Sequence, residues 1–468
     1  MSSRWTFCAL LALMPILPIR AADPPAPEVT VIKLSVEAKA APKPALKYLL
    51  LPELRDMKPG NAIHGYLIAF MEQNNLYYNK EHFASREKWL ACPLSELPND
   101  LADYGGGSSK QADYAARLDI CDWQILLKAK DLGIMLLLPE VQQLRALAGV
   151  LKVRYRGQIK AGKFDDAIKT HQTMFALARH LGEHPTLIGD LVGIAIAAIA
   201  IGPFEEMIQQ PGAPNLYWAI GQLPTPFIDL RKGMQGERLL VDAEFKDFID
   251  PARVWDEDQL RKAYESSKRY IDLFDLKDAT AKKVQAWVMA RLKDEKWLTE
   301  TRTWLVSMGL PETQVKKYPP EQVMFRNLLA KYEIARDDWM KWVYFPFWQA
   351  EIPLFNSVKT SKELTEEEHL TTAVIAAFHK VRKAQARTDQ RIAMLQIVEA
   401  LRLHASDHDG KLPANLEEIK LPLPVDPVNG KAFKYKLEGA TGILVSTPPK
   451  GEEKSAAYNI RYDVTVRK

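Results

Sequence analysis

The chain has 468 residues, with 63 lysines and arginines against 59 aspartates and glutamates and a formal net charge of +4 at pH 7. Hydrophobic residues make up 47% and charged residues 26%, which fits a water-soluble globular protein and excludes a disordered one. The length allows two or three domains, and the nearly balanced charge predicts no nucleic-acid partner.

The first residues have the three parts of a cleaved export signal. Arg4 is followed by an apolar run from Thr6 to Ile19 and then by two alanines. The run is shorter than the ~20 residues that a membrane-spanning helix needs. A basic start, a short apolar run and a small-residue exit are typical of a signal peptide. We therefore predict a signal peptide at residues 1–21, export to the periplasm or the extracellular space, and no transmembrane anchor after cleavage.

Residues 22–44 are rich in Pro, Ala, Val and Lys, a composition that predicts an extended tether. From residue 45 to 360, apolar residues recur at three- and four-residue spacing, which predicts a helical domain, with a subdivision near residue 235 as an open alternative. The glycine-rich stretch from Tyr104 to Lys110 is expected to be a flexible connector. The clearest predicted helices run from Ala62 to Asn75, Ala112 to Leu132, Pro139 to Ala161, Phe164 to Leu181, Thr186 to Gln209, Asp256 to Tyr270, Asp278 to Leu292 and Pro320 to Tyr344.

Two segments indicate how these helices pack. Residues 160–168 have the Gly, aromatic and Ala spacing of the turn between the paired helices of a tetratricopeptide repeat, but no second copy follows at a fixed period. Residues 191–202 are apolar on every face and lie between Asp190 and Glu205, and Pro203 breaks this apolar run. We predict helical hairpins, partly tetratricopeptide-like, packed around this central core helix.

Residues 361–468 predict a long helix followed by a small α+β module. The helix is expected from Leu364 to about His408. Alternating apolar residues at 433–437, 443–446 and 462–466 predict three short strands. The predicted fold class is therefore mainly α, with packed helical hairpins followed by a long helix and a small α+β C-terminal module.

This tail resembles the globular part of type II secretion pseudopilins. The resemblance lies in the helix, in Asp-Gly-Lys-Leu-Pro at 409–413, in the Asp426-Pro turn and in Gly-Lys-Ala-Phe-Lys-Tyr at 430–435. The chain lacks the apolar filament helix at the start of the mature protein and the acidic metal-binding loop of those pseudopilins. The resemblance therefore implies the fold of the module but not assembly into a filament.

A larger part of the chain is similar to a group of uncharacterised exported proteins of planctomycete-type bacteria. The similarity implies organisation and export, and it transfers no site residue. It is carried by Leu-Pro-Glu-Leu at 51–54, Pro-Gly-Asn at 59–61, the stretch 116–123 that ends Asp-Ile-Cys-Asp-Trp, Phe-Ala-Leu-Ala-Arg-His at 175–180, residues 209–218 and the Asp426-Pro turn.

Two residue pairs are candidates for a metal site and a disulfide. His180 and His184 have the i, i+4 spacing that lets two histidines on one helix share a metal, although helix termination explains the same spacing. Cys92 and Cys121 are the cysteines left after signal cleavage, and they form either one disulfide or two separate thiols. The sequence otherwise predicts no metal, no cofactor and no catalytic residue.

Tryptophan is concentrated in one region, where seven of the 11 tryptophans lie between residues 255 and 348. Trp339, Trp342 and Trp348 are the densest group and the candidate aromatic binding surface, since exposed rings stack on sugars or anchor a partner. Core packing is the other interpretation of the same residues and the one that is favoured.

The functional prediction is an exported, non-catalytic binding or scaffold protein of the cell envelope, with an envelope protein or a polysaccharide as its partner. One alternative is an envelope hydrolase whose carboxylates or histidines meet only in the fold. The other is a pseudopilin-like component of a secretion apparatus.

Overall fold

The computed structural model describes residues 29–73, 75–272, 278–357 and 363–467. The predicted signal peptide at 1–21 and residues 22–28 of the predicted tether lie outside this part of the chain. The helices are α1 (Ala62–Glu72), α2 (Asn75–Tyr78), α3 (Lys80–Ala91), α4 (Gly106–Ala115), α5 (Leu126–Leu132), α6 (Pro139–Lys160), α7 (Phe164–Gly182), α8 (Leu187–Met207), α9 (Tyr217–Ile220), α10 (Arg231–Phe245), α11 (Glu257–Asp272), α12 (Asp278–Arg291), α13 (Glu295–Ser307), α14 (Glu312–Val315), α15 (Pro320–Met340), α16 (Phe347–Ser357), α17 (Glu366–Thr371) and α18 (Ala373–Asp407). The strands are β1 (Thr30–Glu37), β2 (Lys58–Asn61), β3 (Leu118–Ile120), β4 (Lys434–Glu438), β5 (Thr441–Val445) and β6 (Ile460–Arg467).

The predicted fold class is confirmed: helices dominate, and a small sheet lies mainly in the C-terminal region. Helices α6, α7 and α8 pack against one another at the centre of the body. Helices α7 and α8 can approach each other closely because α8 is rich in small residues. A Cβ atom placed on Gly193 would lie 2.6 Å from the carbonyl oxygen of Ala178 in α7.

Helix α8 is the predicted core helix, and Ile196, Ala197 and Ala200 in it have no exposed surface. The predicted helix from Thr186 to Gln209 is observed as Leu187–Met207, and Pro203 lies inside it. Among the described helices, α8 is long and apolar enough to cross a membrane, and 67% of its most apolar window is buried in the protein.

The tether prediction is wrong for Thr30–Glu37, which forms β1. This strand pairs in parallel with β6, and the sheet has the order β1-β6-β5-β4 with antiparallel pairs on the other side of β6. Leu34 and Val36 have no exposed surface. These two residues alternate with polar residues, which is the pattern of a strand. The Pro- and Ala-rich composition around them led instead to the tether prediction.

A second correction concerns the region from Tyr104 to Leu132, expected to be a flexible connector followed by one long helix. The structure places α4, the short strand β3 and α5 there. Gly105 has φ of 87°, a left-handed conformation, and it begins α4 instead of keeping the chain flexible. Strand β3 interrupts the helical pattern because it pairs with β2.

The C-terminal module shares its core with the helical body. Helix α18 packs against α8 and α9, and one hydrophobic cluster includes Leu34 of β1, Ile196 of α8, Leu401 of α18 and Val464 of β6. The predicted boundary between 360 and 361 therefore does not separate two cores. A smaller cluster that includes Val241 lies just beyond residue 235.

Candidate functional site

The two histidines proposed as a weak metal pair contact different partners. Helix α7 ends at Gly182, so His184 lies beyond the helix that carries His180. Nδ1 of His180 lies 2.9 Å from the Tyr66 hydroxyl, and Nδ1 of His184 lies 2.8 Å from Oγ1 of Thr186. No group of three His, Cys, Asp or Glu side chains suited to a metal occurs among the described residues. Helix termination therefore accounts for the spacing.

Of the two alternatives for Cys92 and Cys121, a disulfide or two separate thiols, the structure shows two free thiols. They pack into different apolar clusters, Cys92 beside Trp89 and Cys121 against the main core. The Cys121 thiol contacts the carbonyl oxygen of His180 at 3.4 Å. Burial raises the pKa of Cys121 to about 12, so its sulfur is a thiol and not a reactive thiolate at neutral pH.

Acidic groups and a histidine meet at the start of α8, as the hydrolase alternative requires. A carboxylate oxygen of Glu237 in α10 accepts a hydrogen bond from the Leu187 amide at 3.0 Å, which satisfies one of the free N–H groups of the helix start. Asp190 has no exposed surface, and neither of its carboxylate oxygens has a hydrogen-bond partner. Nε2 of the fully buried His184 also lacks a partner.

Burial raises the pKa of Asp190 well above its usual range and that of Glu237 to about 7, and it lowers the pKa of His184 to about 3. Perturbed titration of this kind is common in active sites. Asp190 is nevertheless closed off by the backbone of α10, because a Cβ atom on Gly233 would lie 2.0 Å from its Oδ2. No substrate can reach its carboxylate in this arrangement, so the cluster belongs to the helix interface.

The structure divides the predicted aromatic surface. Trp339 is only 1% exposed and packs on Phe378, with ring centroids 5.3 Å apart, so its assignment to a binding surface is wrong. Trp342 is partly buried against the main core. Trp348 is 44% exposed. Trp339 is buried because it lies on the side of its helix that packs against α18. The spacing of the tryptophans in the sequence does not reveal this.

Three aromatic side chains close together in the chain are exposed. Tyr344 is 61% exposed, Phe345 47% and Trp348 44%, and we call these three residues the aromatic platform. Phe345 is supported by Trp342 beneath it, with ring centroids 5.7 Å apart. All three rings lie in the Trp-rich segment, so the sequence located the region and Trp348 but not Tyr344 and Phe345.

The platform is held in place by the C-terminal module. Gly430, with φ of 69°, brings the backbone of the Asp426-Pro turn against Trp348, and a Cβ atom there would lie 2.7 Å from Cδ2 of the indole. Arg231, which pairs with Asp229, interacts electrostatically with Tyr344.

Comparison of the chain with protein-family models, with curated proteins and with solved structures gave no match.

Proposed function

We propose that the protein is an exported, non-catalytic binding protein of the cell envelope and that its aromatic platform binds a polysaccharide. The observation that carries the proposal is the exposure of Tyr344, Phe345 and Trp348 within five consecutive residues. The export part of the proposal rests on the sequence of residues 1–21.

The chemistry of the platform suits a sugar chain. An aromatic face carries a negative electrostatic potential, and the axial C–H groups of a sugar ring carry a positive one, so the two attract when stacked. The rings of the platform lose little conformational freedom on binding because Gly430 and Trp342 already support them.

The two alternatives remain predictions. A hydrolase is disfavoured at the start of α8, where Asp190 is inaccessible. A secretion-apparatus role depends on the pseudopilin resemblance of the tail, and the sharing of one core between tail and body argues against a tail that acts as a separate building block.

The test is affinity electrophoresis of the full chain in gels that contain neutral polysaccharides, with mixed-linkage β-glucan and galactomannan as probes. We expect at least one polysaccharide to retard the wild-type protein, and Trp348→Ala and Tyr344→Ala to abolish the retardation. Tyr344 is the more exposed of the two, so its variant should fold normally.

Trp218→Ala is the matched control, because Trp218 is 37% exposed but lies outside the platform. Equal loss of retardation in the control and in the platform variants would contradict the proposal. So would the absence of retardation by every neutral polysaccharide.

A further inference from the structure

We infer that a second, separate site, the groove between residues 39–48 and the start of α7, binds an acidic polysaccharide. The groove has a volume of about 860 Å³. One wall is the irregular segment that leaves β1, another is the turn between α6 and α7, and the third is residues 212–215.

The charge of the groove favours an anion. Its charged lining residues are Lys39, Lys43, Lys47, Lys163, Asp165 and Asp166. One lysine and one acid are already engaged: Asp165 accepts a hydrogen bond from the Tyr48 hydroxyl at 2.9 Å, and Lys47 lies 4.7 Å from the centre of the Tyr48 ring and interacts with Asp165. Three ammonium groups then face a single remaining carboxylate, that of Asp166.

The start of α7 adds to this field. Lys163 is its N-cap residue and provides no side-chain hydrogen bond to the first turn. The free N–H groups of a helix start carry partial positive charge and favour an acidic group nearby. The lysines suit carboxylates or phosphates that repeat along a chain, because a groove of about 860 Å³ is larger than a single ion.

The walls favour a sugar chain over a peptide. Peptides are usually held by main-chain hydrogen bonds to a strand edge or as a helix in an apolar groove, and the walls here are an irregular segment and a helix start. The half-buried rings of Tyr48 and Phe164 line the groove and can stack on sugar rings. An acidic polysaccharide uses both features, with its anionic groups on the lysines and its rings on the aromatic side chains.

The test is isothermal titration calorimetry of the full chain with polygalacturonate at low ionic strength, because salt screens exposed charges. The site variant is the triple substitution Lys39→Gln, Lys43→Gln and Lys163→Gln. We expect it to weaken binding about tenfold, since three exposed charge contacts of ~0.5 kcal/mol each amount to about one factor of ten. Tyr48→Leu should also weaken binding, through loss of the ring.

The matched control changes the same net charge elsewhere, at the exposed residues Lys268, Lys293 and Lys317. Equal weakening in the control would show non-specific charge attraction and would overturn the inference. Failure of the wild-type protein to bind polygalacturonate would overturn it, and so would equally tight binding of poly-glutamate, which would assign the groove to an acidic protein.

This site stands independently of the aromatic platform. Trp348→Ala should leave the affinity for polygalacturonate unchanged, and the lysine variant should leave retardation by neutral polysaccharides unchanged. Loss of polygalacturonate binding in Trp348→Ala would mean one shared site and would overturn the inference of a second one.

Discussion

Asp190 lies at the start of α8, where its carboxylate has no hydrogen-bond partner. Both oxygens are buried without a hydrogen bond, and Glu237, Asp229 and Glu183 add negative potential that Lys232 offsets only in part. Desolvation is the largest cause of the raised pKa of Asp190, so the folded protein holds this side chain as the neutral acid. The neutral carboxylic acid still has an O–H group that needs a hydrogen-bond acceptor, so this interface is less stable than an apolar one would be.

The pH dependence of stability follows from this shift. Because the folded state holds the Asp190 proton more tightly than the unfolded state, the contribution is fully present below about pH 4 and is lost as pH rises through the raised folded pKa. Asp190→Asn cannot ionise, so we expect its free energy of unfolding to exceed that of the wild type at pH 8 and to differ little from it at pH 4. Urea unfolding at the two pH values measures both differences.

The exposed residue Asp131 gives a control of the same chemistry, and Asp131→Asn should follow the wild-type pH dependence. If Asp190→Asn and the wild type differ by the same amount at pH 4 and pH 8, Asp190 is not the titrating group.

At the scale of elements, β1 changes the role of the N-terminal region. Its eight residues pair one to one with β6, from Thr30 with Ile460 to Glu37 with Arg467. The end of the strand is also tied to the body, because the Ser35 amide donates to Gln209 at 3.2 Å. A segment with the composition of a linker is therefore one strand of the sheet.

Hydrogen exchange distinguishes a strand from a tether. We expect the alternate amides of residues 31–36 that bond to β6 to exchange about a thousandfold more slowly than in an unstructured peptide, because they open only when the sheet opens. Those of β6 should be protected to a similar degree, and those of the exposed stretch 43–46 should exchange quickly. Fast exchange throughout 31–36, with β6 protected, would restore the tether interpretation.

At the scale of the molecule, buried ion pairs join distant parts of the chain. Glu399 and Arg402 in α18 have no exposed side-chain surface and pair at 2.8 Å. The Arg402 guanidinium also donates to carbonyl oxygens of Glu37 and Ala213, and Glu399 accepts from the Leu216 amide. A second tie links α8, α18 and β6, where Glu205 contacts Arg391 and Tyr462. These contacts make the tail part of the body.

Substitution of Arg402 tests how much the buried pair with Glu399 contributes to stability. Arg402→Met leaves Glu399 buried without its cation, and we expect the free energy of unfolding to fall by about 3–5 kcal/mol. Arg461→Met, at a partly exposed pair with Asp463, should cost less than about 1 kcal/mol. Urea unfolding measures both variants, and similar losses in the two would show that the buried pair has no special role.

The sequence by itself determined the local structure. The helical period places α7 within one residue of its observed end, and the alternation at 433–437, 443–446 and 462–466 finds β4, β5 and β6. It also identified α8 as the core helix, because a helix that is apolar on every face has to be buried. These features depend on residues that are close together in the sequence, so a single sequence is enough to predict them.

Only the tertiary structure decided which side chains meet and which are exposed. Trp339 and Trp348 look alike in sequence, yet α18 covers the first and leaves the second open. Asp190 and Glu237 come close together at a helix interface. Strand β1 pairs with β6 although more than four hundred residues separate them in the sequence. Burial and convergence depend on contacts between distant segments, and such contacts leave no periodic signal in the chain.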